Sequence, residues 1–382
     1  MKFSTKAIHV GEEPNYEVNG EVVSPIHLST TFARRYPEVP TKGYEYTRTS
    51  NPTRGALEKK LASLEEGRFG LAFASGLAAE TSLLLALLKK GDTILASDDL
   101  YGGTRRIFES VIKKFGVDFR TVDFTSTASF ETEARSSRII WVETPSNPLL
   151  KIIDIAKLSK MAHENGSLLV VDNTFATPYF QNPLKFGSDV VVHSTTKYIS
   201  GHSDTLGGGI VTNNDELFEK LKFHQNAVGA VLSPFDSYMT MRGIKTLSVR
   251  MREHEKNAMR IAEYLLEKNK VKKVYYPGLE DHFNHEVAKS QMKGYGGIVS
   301  FALDLDREGI RRFLRNLKYI TLGESLGGVE SLIEVPSLMT HASVPREVRE
   351  QMGIIDNLVR FSVGIEDVDD LIEDLESAFG AI

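Results

Sequence analysis

From about residue 55 onward, short apolar runs alternate with stretches of helical periodicity. The runs are apolar on both faces, which is typical of parallel strands that are covered by helices. We predict strands at residues 69–73, 92–96, 139–142, 168–171 and 190–192. Helices are predicted among them, at residues 77–88, 104–114 and 155–164. The alternation predicts an α/β domain whose mostly parallel central sheet carries helices on both faces.

Two further segments flank this domain. Residues 1–50 have no long periodic segment, so we expect an extended N-terminal arm that packs on another subunit. Beyond residue 235, a helical stretch at about 236–268 leads to strands near 271–275 and 297–301, and an amphipathic helix follows residue 367. The predicted domains are therefore the arm at 1–50, the α/β domain at 51–235 and a smaller α+β domain at 236–382.

Composition narrows the classes of function. The chain has a net charge of −5, so it lacks the concentrated positive charge of a nucleic-acid binder. It contains no cysteine, which excludes disulfides, thiolate metal sites and a cysteine nucleophile, and we predict no metal site. Residues 1–14 lack a signal-peptide core and the longest apolar run covers only 83–88. We therefore expect no membrane partner and a cytoplasmic location.

Polar groups follow three of the predicted strands. Gly76 and Leu77 open a helix after the first strand, where free backbone N–H groups bind phosphate. Asp172 follows the strand at 168–171, and Ser194, Thr196 and Lys197 follow the strand at 190–192. In a parallel sheet these strand ends share one edge, which is where ligands bind.

The set matches the needs of one cofactor, pyridoxal 5'-phosphate. This cofactor requires a lysine for its aldehyde, an acid for its ring nitrogen and small donors for its phosphate. Taken singly, each residue is better explained as a helix cap, a turn residue or a surface lysine. Their joint occurrence at three strand ends favours the cofactor site.

Two other motifs in the sequence do not indicate the functions with which such motifs are usually associated. Residues 194–197 match the S-x-x-K signature of penicillin-recognising enzymes, but the accompanying S-D-N and K-T-G elements are absent. The glycine clusters at 207–209 and 327–328 match neither a dinucleotide fingerprint nor a P-loop. We predict that both clusters form turns.

Nine motifs stand in order along the chain and carry a family resemblance. They are YEYTR at 44–48, NPT at 51–53, ASG at 74–76, YGGT at 101–104, ETPSNP at 143–148, VDNT at 171–174, STTKY at 194–198, ESLGG at 324–328 and MTHAS at 339–343. The chain resembles the cysteine and methionine metabolism family of pyridoxal-phosphate enzymes, which has fold type I. It is most similar to the cystathionine γ-lyases and γ-synthases, and the resemblance covers essentially the whole chain.

The resemblance implies a role for each matching residue at the cofactor. Lys197 would bind the aldehyde and move protons, Asp172 would pair with the ring nitrogen, and Tyr101 would stack on the ring as a second catalytic residue. The other cofactor contacts would be Gly76, Leu77, Thr174, Ser194 and Thr196, joined by Tyr46 and Arg48 of a neighbouring subunit. The implied assembly is a homotetramer, a dimer of dimers with shared active sites.

The resemblance also implies the substrate-binding residues. Arg360 would bind the α-carboxylate of an amino acid, with help from Ser325 and Asn147. Arg106 would be a second arginine on the substrate side, and Glu324 would meet the distal amino group of cystathionine. His341 is expected to be a structural histidine.

Three features select among activities. Methionine γ-lyases have a cysteine two residues after the stacking tyrosine, where this chain has Gly103. The acidic Glu324 resembles cystathionine enzymes, and NAVGA at 226–230 resembles γ-lyases more than γ-synthases. The expected activity is that of a cystathionine γ-lyase, which forms cysteine, 2-oxobutanoate and ammonia. Cystathionine γ-synthase is the alternative, and methionine γ-lyase or a non-catalytic binding module is less well supported.

Overall fold

The computed structural model describes residues 1–16, 18–125, 136–342 and 344–382, and within these ranges it has two sheets. The strands of the first sheet are β1 (Phe69–Phe73), β2 (Thr93–Ser97), β3 (Asp118–Val122), β4 (Ile139–Glu143), β5 (Leu168–Asp172), β6 (Val190–Ser194) and β7 (Gly208–Thr212). Their spatial order is β1-β7-β6-β5-β4-β2-β3. Strands β2 to β6 run parallel, whereas β7 is antiparallel to both β6 and β1. The predicted mostly parallel sheet is therefore confirmed.

The second sheet is smaller and mostly antiparallel. Its strands are β8 (Val271–Tyr275), β9 (Ile298–Leu303), β10 (Thr321–Leu322), β11 (Leu332–Glu334) and β12 (Leu358–Ser362). Their order is β10-β11-β12-β9-β8, and only the short β10 and β11 pair in parallel. This sheet and its helices bury a core of their own, which includes Phe301, Phe313 and Phe361.

Helices cover both faces of the first sheet. The helices of the described ranges are α1 (Phe3–His9), α2 (Pro52–Leu64), α3 (Gly76–Leu87), α4 (Gly102–Arg106), α5 (Ile155–Glu164), α6 (Thr177–Phe180), α7 (Asp215–Val228), α8 (Pro234–Ile244), α9 (Leu247–Leu266), α10 (His285–Gln291), α11 (Arg307–Arg315), α12 (Arg346–Met352) and α13 (Val368–Gly380). Leu83 and Leu84 of α3 pack with Val170 on one face, and Leu158 of α5 packs with Val171 on the other. The α/β fold class predicted from the sequence is confirmed. Both faces of the sheet carry helices because successive strand residues bury apolar side chains on opposite faces.

Three local predictions were wrong. Gly208 and Gly209, which were predicted as part of a turn, lie in β7. A Cβ at Gly208 would stand only 2.1 Å from the Ser75 carbonyl oxygen, so this strand position requires glycine for close packing and not for a turn. The stretch predicted as one helix at 236–268 is two helices, α8 and α9, which are separated at residues 245–246. The helix predicted at 104–114 is α4 followed by one π-helical and one 3₁₀ turn at residues 107–115.

The N-terminal arm contains α1 and otherwise little regular structure. Its later part forms isolated bridges such as Thr31 with Tyr46, and it exposes apolar side chains including Tyr16, Val22 and Leu28. Exposed apolar side chains on an arm suit packing against another subunit. That packing and the domain boundaries at 50 and 235 stay predictions. No helix in the described part of the chain is long and apolar enough to cross a membrane.

A buried ion pair attaches the start of the arm to the α/β domain. The fully buried Lys60 of α2 pairs with Glu12 and donates to the carbonyl oxygens of Ala7 at 3.0 Å and Ile8 at 3.4 Å. Lys245, which is partly exposed, reaches the same carboxylate at 2.9 Å. Lys60 is therefore the fully buried cation that binds the start of the arm, and Lys245 is a second, partly exposed one.

Replacing Lys60 with methionine is expected to lower the free energy of unfolding by about 3 kcal/mol, because it leaves buried acceptors without their partner. The matched change Lys245→Met should remove at most about 1 kcal/mol, since its amine meets solvent. Urea unfolding of both variants measures the difference. Equal losses of unfolding free energy in the two variants would show that the burial of Lys60 does not increase its contribution to stability.

Candidate active site

A cavity of about 440 Å³ lies at the carboxyl ends of the parallel strands and is closed on one side by Arg360 of β12 and by residues 324–326, which lie between β10 and β11. All but three of the predicted site residues line this cavity. Those that line it are Gly76, Leu77, Tyr101, Asn147, Asp172, Thr174, Ser194, Thr196, Lys197, Glu324, Ser325 and Arg360. The cavity lies where ligands bind in parallel sheets, as the sequence predicts.

One end of the cavity is built to hold an anion. Ser75 caps α3 by accepting a hydrogen bond from the Ala78 N–H at 3.0 Å. The N–H groups of Gly76 and Leu77 stand in the first helical turn, where the helix itself offers them no acceptor. A Cβ at Gly76 would lie 3.0 Å from the Ser194 Cβ, so a glycine lets helix and strand approach here. The hydroxyls of Ser194 and Thr196 lie beside this helix start.

The middle of the cavity holds buried acids at two neighbouring strand ends. Asp172 ends β5 and accepts a hydrogen bond from the Thr174 N–H at 2.8 Å. Glu143 ends β4 directly opposite Asp172 in the parallel register. Burial raises the pKa of Asp172, although its hydrogen bonds from Thr174 oppose the shift. The hydroxyl of Thr174 also accepts a hydrogen bond from the Ser194 N–H at 2.9 Å, which links β5 to β6.

Lys197 is the amine of the cavity. Its Nζ donates a hydrogen bond to the Ser325 hydroxyl at 2.7 Å. Burial, aided by the positive charge of Arg360, lowers the pKa of Lys197 to about 8. Ser325 has a φ of 92°, in the left-handed region that side chains rarely adopt. This conformation directs its hydroxyl to Lys197 while its carbonyl oxygen accepts from Arg360.

Arg360 is a buried guanidinium held by three partners. Its Nη1 donates to the Asn147 Oδ1 at 2.9 Å and pairs with Glu334 at 3.0 Å, and its Nη2 donates to the Ser325 carbonyl at 2.7 Å. Among the described residues, its Nε has no hydrogen-bond partner. A guanidinium fixed in this way at a cavity wall suits a carboxylate ligand.

Tyr101 forms one wall of the cavity. Its N–H donates to the two Glu143 oxygens at 2.9 and 3.1 Å, which fixes the backbone ahead of α4. Its ring lies over Gly103, where a Cβ would stand 2.4 Å from the ring edge. Burial and the charge of Glu80 raise the pKa of the phenol, so it holds its proton at neutral pH.

The structure does not bring Tyr46, Arg48 or Arg106 to the cavity of their own chain. Arg48 is exposed, lies over the Tyr46 ring and donates to the Asn226 carbonyl oxygen at 2.9 Å. Arg106 is exposed on α4, and its charge lowers the pKa of Tyr101 without lining the cavity. His341 is fully buried, with its Nε2 3.2 Å from the Leu100 carbonyl oxygen, as expected of a structural histidine.

Three acids of the site were not given a role from the sequence. Glu143 is the residue directly after the predicted strand at 139–142, so its position at a strand end could have indicated a role at the site. Glu80 stands one helical turn after Gly76 on the same face of α3, and this four-residue spacing in the sequence could have placed it at the cavity. Glu334 had no signal, because it meets Arg360 through the pairing of the three-residue strand β11 with β12.

The described residues fit pyridoxal 5'-phosphate. The anion site at α3, the acid Asp172 and the amine Lys197 follow β1, β5 and β6 and meet at one cavity, and Tyr101 supplies a flat ring. No group of His, Asp and Glu side chains that could hold a metal ion occurs in the ranges described. Fold and cavity together define a pyridoxal-phosphate enzyme of fold type I.

The chain belongs to the cysteine and methionine metabolism family of these enzymes, since the family model described as "Cys/Met metabolism PLP-dependent enzyme" matches residues 4–380. Cystathionine gamma-lyase of Dictyostelium discoideum is 51% identical over 99% of this chain and 97% of its own length. Cystathionine beta-lyase of Coxiella burnetii is 49% identical over 98% and 97%. Cystathionine gamma synthase of Xanthomonas oryzae, solved with cystathionine, is 43% identical with a TM-score of 0.97 over 100% and 98%. The cofactor is therefore pyridoxal 5'-phosphate, as the sequence predicts.

Proposed function

We propose that this enzyme is a cystathionine γ-lyase, which converts cystathionine and water into cysteine, 2-oxobutanoate and ammonia. The main support for this proposal is that Glu324 lines the same cavity as Arg360 and Lys197. Cystathionine has an amino-acid group at both ends, so a site for it needs a cation for one carboxylate and an anion for the distal ammonium. Relatives named for reactions of cystathionine support the same substrate.

The side chains of the cavity can carry the proton transfers of this reaction. Bound pyridoxal phosphate supplies an electron sink for negative charge at the α- and β-carbons of the substrate. Lys197, with a pKa lowered to about 8, has a neutral fraction at physiological pH that can take the α-proton and return a proton. Its hydrogen bond to Ser325 holds the amine at the cavity wall.

Two other groups orient the substrate and assist the leaving group. Arg360, held by Asn147 and Glu334, would bind the α-carboxylate and align the α-proton with Lys197. Tyr101 holds its proton because its pKa is raised, so its phenol can protonate the departing sulfur as the Cγ–S bond breaks.

We also propose that the active sites are shared in a homotetramer of two dimers. Arg48 and Tyr46 are exposed and lie away from the cavity of their own chain. Arginine suits a phosphate because its planar fork forms two charge-assisted hydrogen bonds. An exposed arginine on the arm would therefore complete a neighbouring anion site.

The products formed from cystathionine test the proposed reaction. A γ-lyase gives cysteine and 2-oxobutanoate, whereas a β-lyase gives homocysteine and pyruvate from the same substrate. A γ-synthase instead forms cystathionine from cysteine and O-acetyl-, O-succinyl- or O-phosphohomoserine. Predominance of pyruvate, or faster synthesis than cleavage of cystathionine, would replace γ-lyase by one of these alternatives. Both have support in the names of relatives.

Replacing Glu324 with valine is expected to lower kcat/KM for cystathionine relative to homocysteine by about tenfold to a hundredfold, since a distal ammonium without a partner costs about 1–3 kcal/mol. The measurement is kcat/KM for both substrates with each enzyme. Glu324→Gln is the control that keeps the shape and removes the charge. An unchanged ratio in the valine variant would show that Glu324 does not recognise the distal group.

A further inference from the structure

The cavity contains more buried acid than one ring nitrogen requires. Glu80, Glu143 and Asp172 all line it, and none of them forms an ion pair within the described ranges. The hydrogen bonds found for them come from neutral donors, namely the Thr104 hydroxyl at 3.2 Å, the Tyr101 N–H and the Thr174 N–H. The charge of Asp172 raises the pKa of both Glu80 and Glu143, whereas His193 acts to lower the pKa of Asp172.

Glu80 is the least satisfied of the three. Its side chain is only 3% exposed, and its Oε2 has no hydrogen-bond partner among the described residues. It lies one turn after Gly76 on α3, so the helix that offers N–H groups to the phosphate also turns this carboxyl toward the middle of the cavity. Asp172 from β5 is the charged group that acts on Glu80, and Glu80 in turn raises the pKa of Glu143 on β4 and of Tyr101 ahead of α4.

We propose that Glu80 is a positioning residue for the cofactor, which balances the positive charge of the ring nitrogen together with Asp172. A protonated ring nitrogen would bring a further cation to these acids, since the cavity's Lys197 and Arg360 are already bound to Ser325 and Glu334. Glu80 would act through Asp172, because a second negative charge near Asp172 strengthens the electrostatic attraction for the positively charged ring nitrogen. The proposal depends on the cofactor and not on which bond of the substrate is cleaved.

Cofactor affinity of the Glu80→Gln variant is the direct test. Glutamine keeps the volume and the acceptor for Thr104 and removes only the charge. Trp141, the single tryptophan, lies on β4 two residues before Glu143, so quenching of its fluorescence reports titration of the apoprotein with pyridoxal 5'-phosphate. We expect about tenfold weaker binding in Glu80→Gln, as for loss of one charge interaction in a buried site.

Glu255→Gln is the matched control, because it removes one negative charge from a partly buried carboxyl whose pKa is also raised by burial and which does not line the cavity. It should change the dissociation constant by less than about twofold. Affinity of Glu80→Gln within twofold of the wild type, or equal weakening in the two variants, would overturn the proposal. Neither outcome bears on the lyase reaction, which this titration does not measure.

The pH dependence of apoprotein stability separates a charge effect from a packing effect. Burial and Asp172 raise the pKa of Glu80 well above its ordinary value. A group whose pKa is raised on folding stabilises the protein when protonated, and the apoprotein loses that contribution as pH rises through the raised pKa. Glu80→Gln should therefore melt about 2–4 °C above the wild type at pH 8.5 and close to it at pH 5. A constant difference across this range would assign Glu80 a packing role and overturn the proposal.

Discussion

Replacing Lys197 with alanine will abolish covalent attachment of the cofactor and lower kcat by about 10³-fold or more, since the change removes the amine that we propose as the acid–base group of the cavity. Lys197 is the residue whose amine reaches the cavity, where it bonds to Ser325 at 2.7 Å. Its pKa of about 8 leaves a nucleophilic fraction that an exposed lysine lacks at neutral pH. Pyridoxal phosphate that remains in the variant should be removable by dialysis.

Borohydride reduction followed by proteolysis and mass spectrometry measures the attachment. The wild-type protein should give a labelled peptide that contains Lys197, and the variant should give none. Lys185→Ala is the control, because this amine is half exposed and pairs with Glu66 away from the cavity. A labelled peptide from the Lys197→Ala protein would assign the attachment to another lysine and refute the proposed role.

Mixing two inactive variants will restore activity if the active site is shared between subunits. Arg48→Ala and Lys197→Ala should each be weak or inactive, since one removes the cation that we propose for the neighbouring phosphate and the other removes the amine. In a mixed dimer, one site combines the intact Arg48 of one chain with the intact Lys197 of the other. Half of the dimers are mixed after random assortment, so about a quarter of the wild-type activity should return.

The pair Arg360→Ala and Lys197→Ala is the matched control for this complementation. Both side chains line the cavity of one chain, so a mixed dimer still lacks one of them at every site. No activity should return from that mixture. If the Arg48 mixture also stays inactive while mass spectrometry detects mixed oligomers, Arg48 serves its own subunit and the shared site is refuted.

The sequence predicted the parallel part of the first sheet well, because its buried strands are short apolar runs that end in polar residues. The predicted strands at 69–73 and 271–275 and the helix at 155–164 match the structure residue for residue. Strand β3 was not predicted because Asp118, Arg120 and other edge residues face solvent. Strand β7 was not predicted because two glycines hide its periodicity.

The same contrast holds for the cavity. Residues that follow a strand, such as Asp172 and Lys197, are recognisable because parallel strand ends converge. Glu334 is not, since its contact with Arg360 depends on the register of β11 against β12 and not on any local pattern. The fully buried pair they form belongs to the second sheet, whose antiparallel pairing joins residues 26 positions apart in the chain. Contacts of this kind follow from tertiary structure alone.

The backbone of Ser325 sets a conflict for anyone who engineers this enzyme for heat resistance. A residue with a side chain at φ 92° stores roughly 1–3 kcal/mol of strain, and glycine would release it. Selection for a higher melting temperature alone will therefore favour glycine at this position. Glycine keeps the carbonyl oxygen that Arg360 contacts but removes the hydroxyl that holds Lys197. A stabilised library should accordingly be screened for turnover at every round, because here robustness and activity select opposite residues.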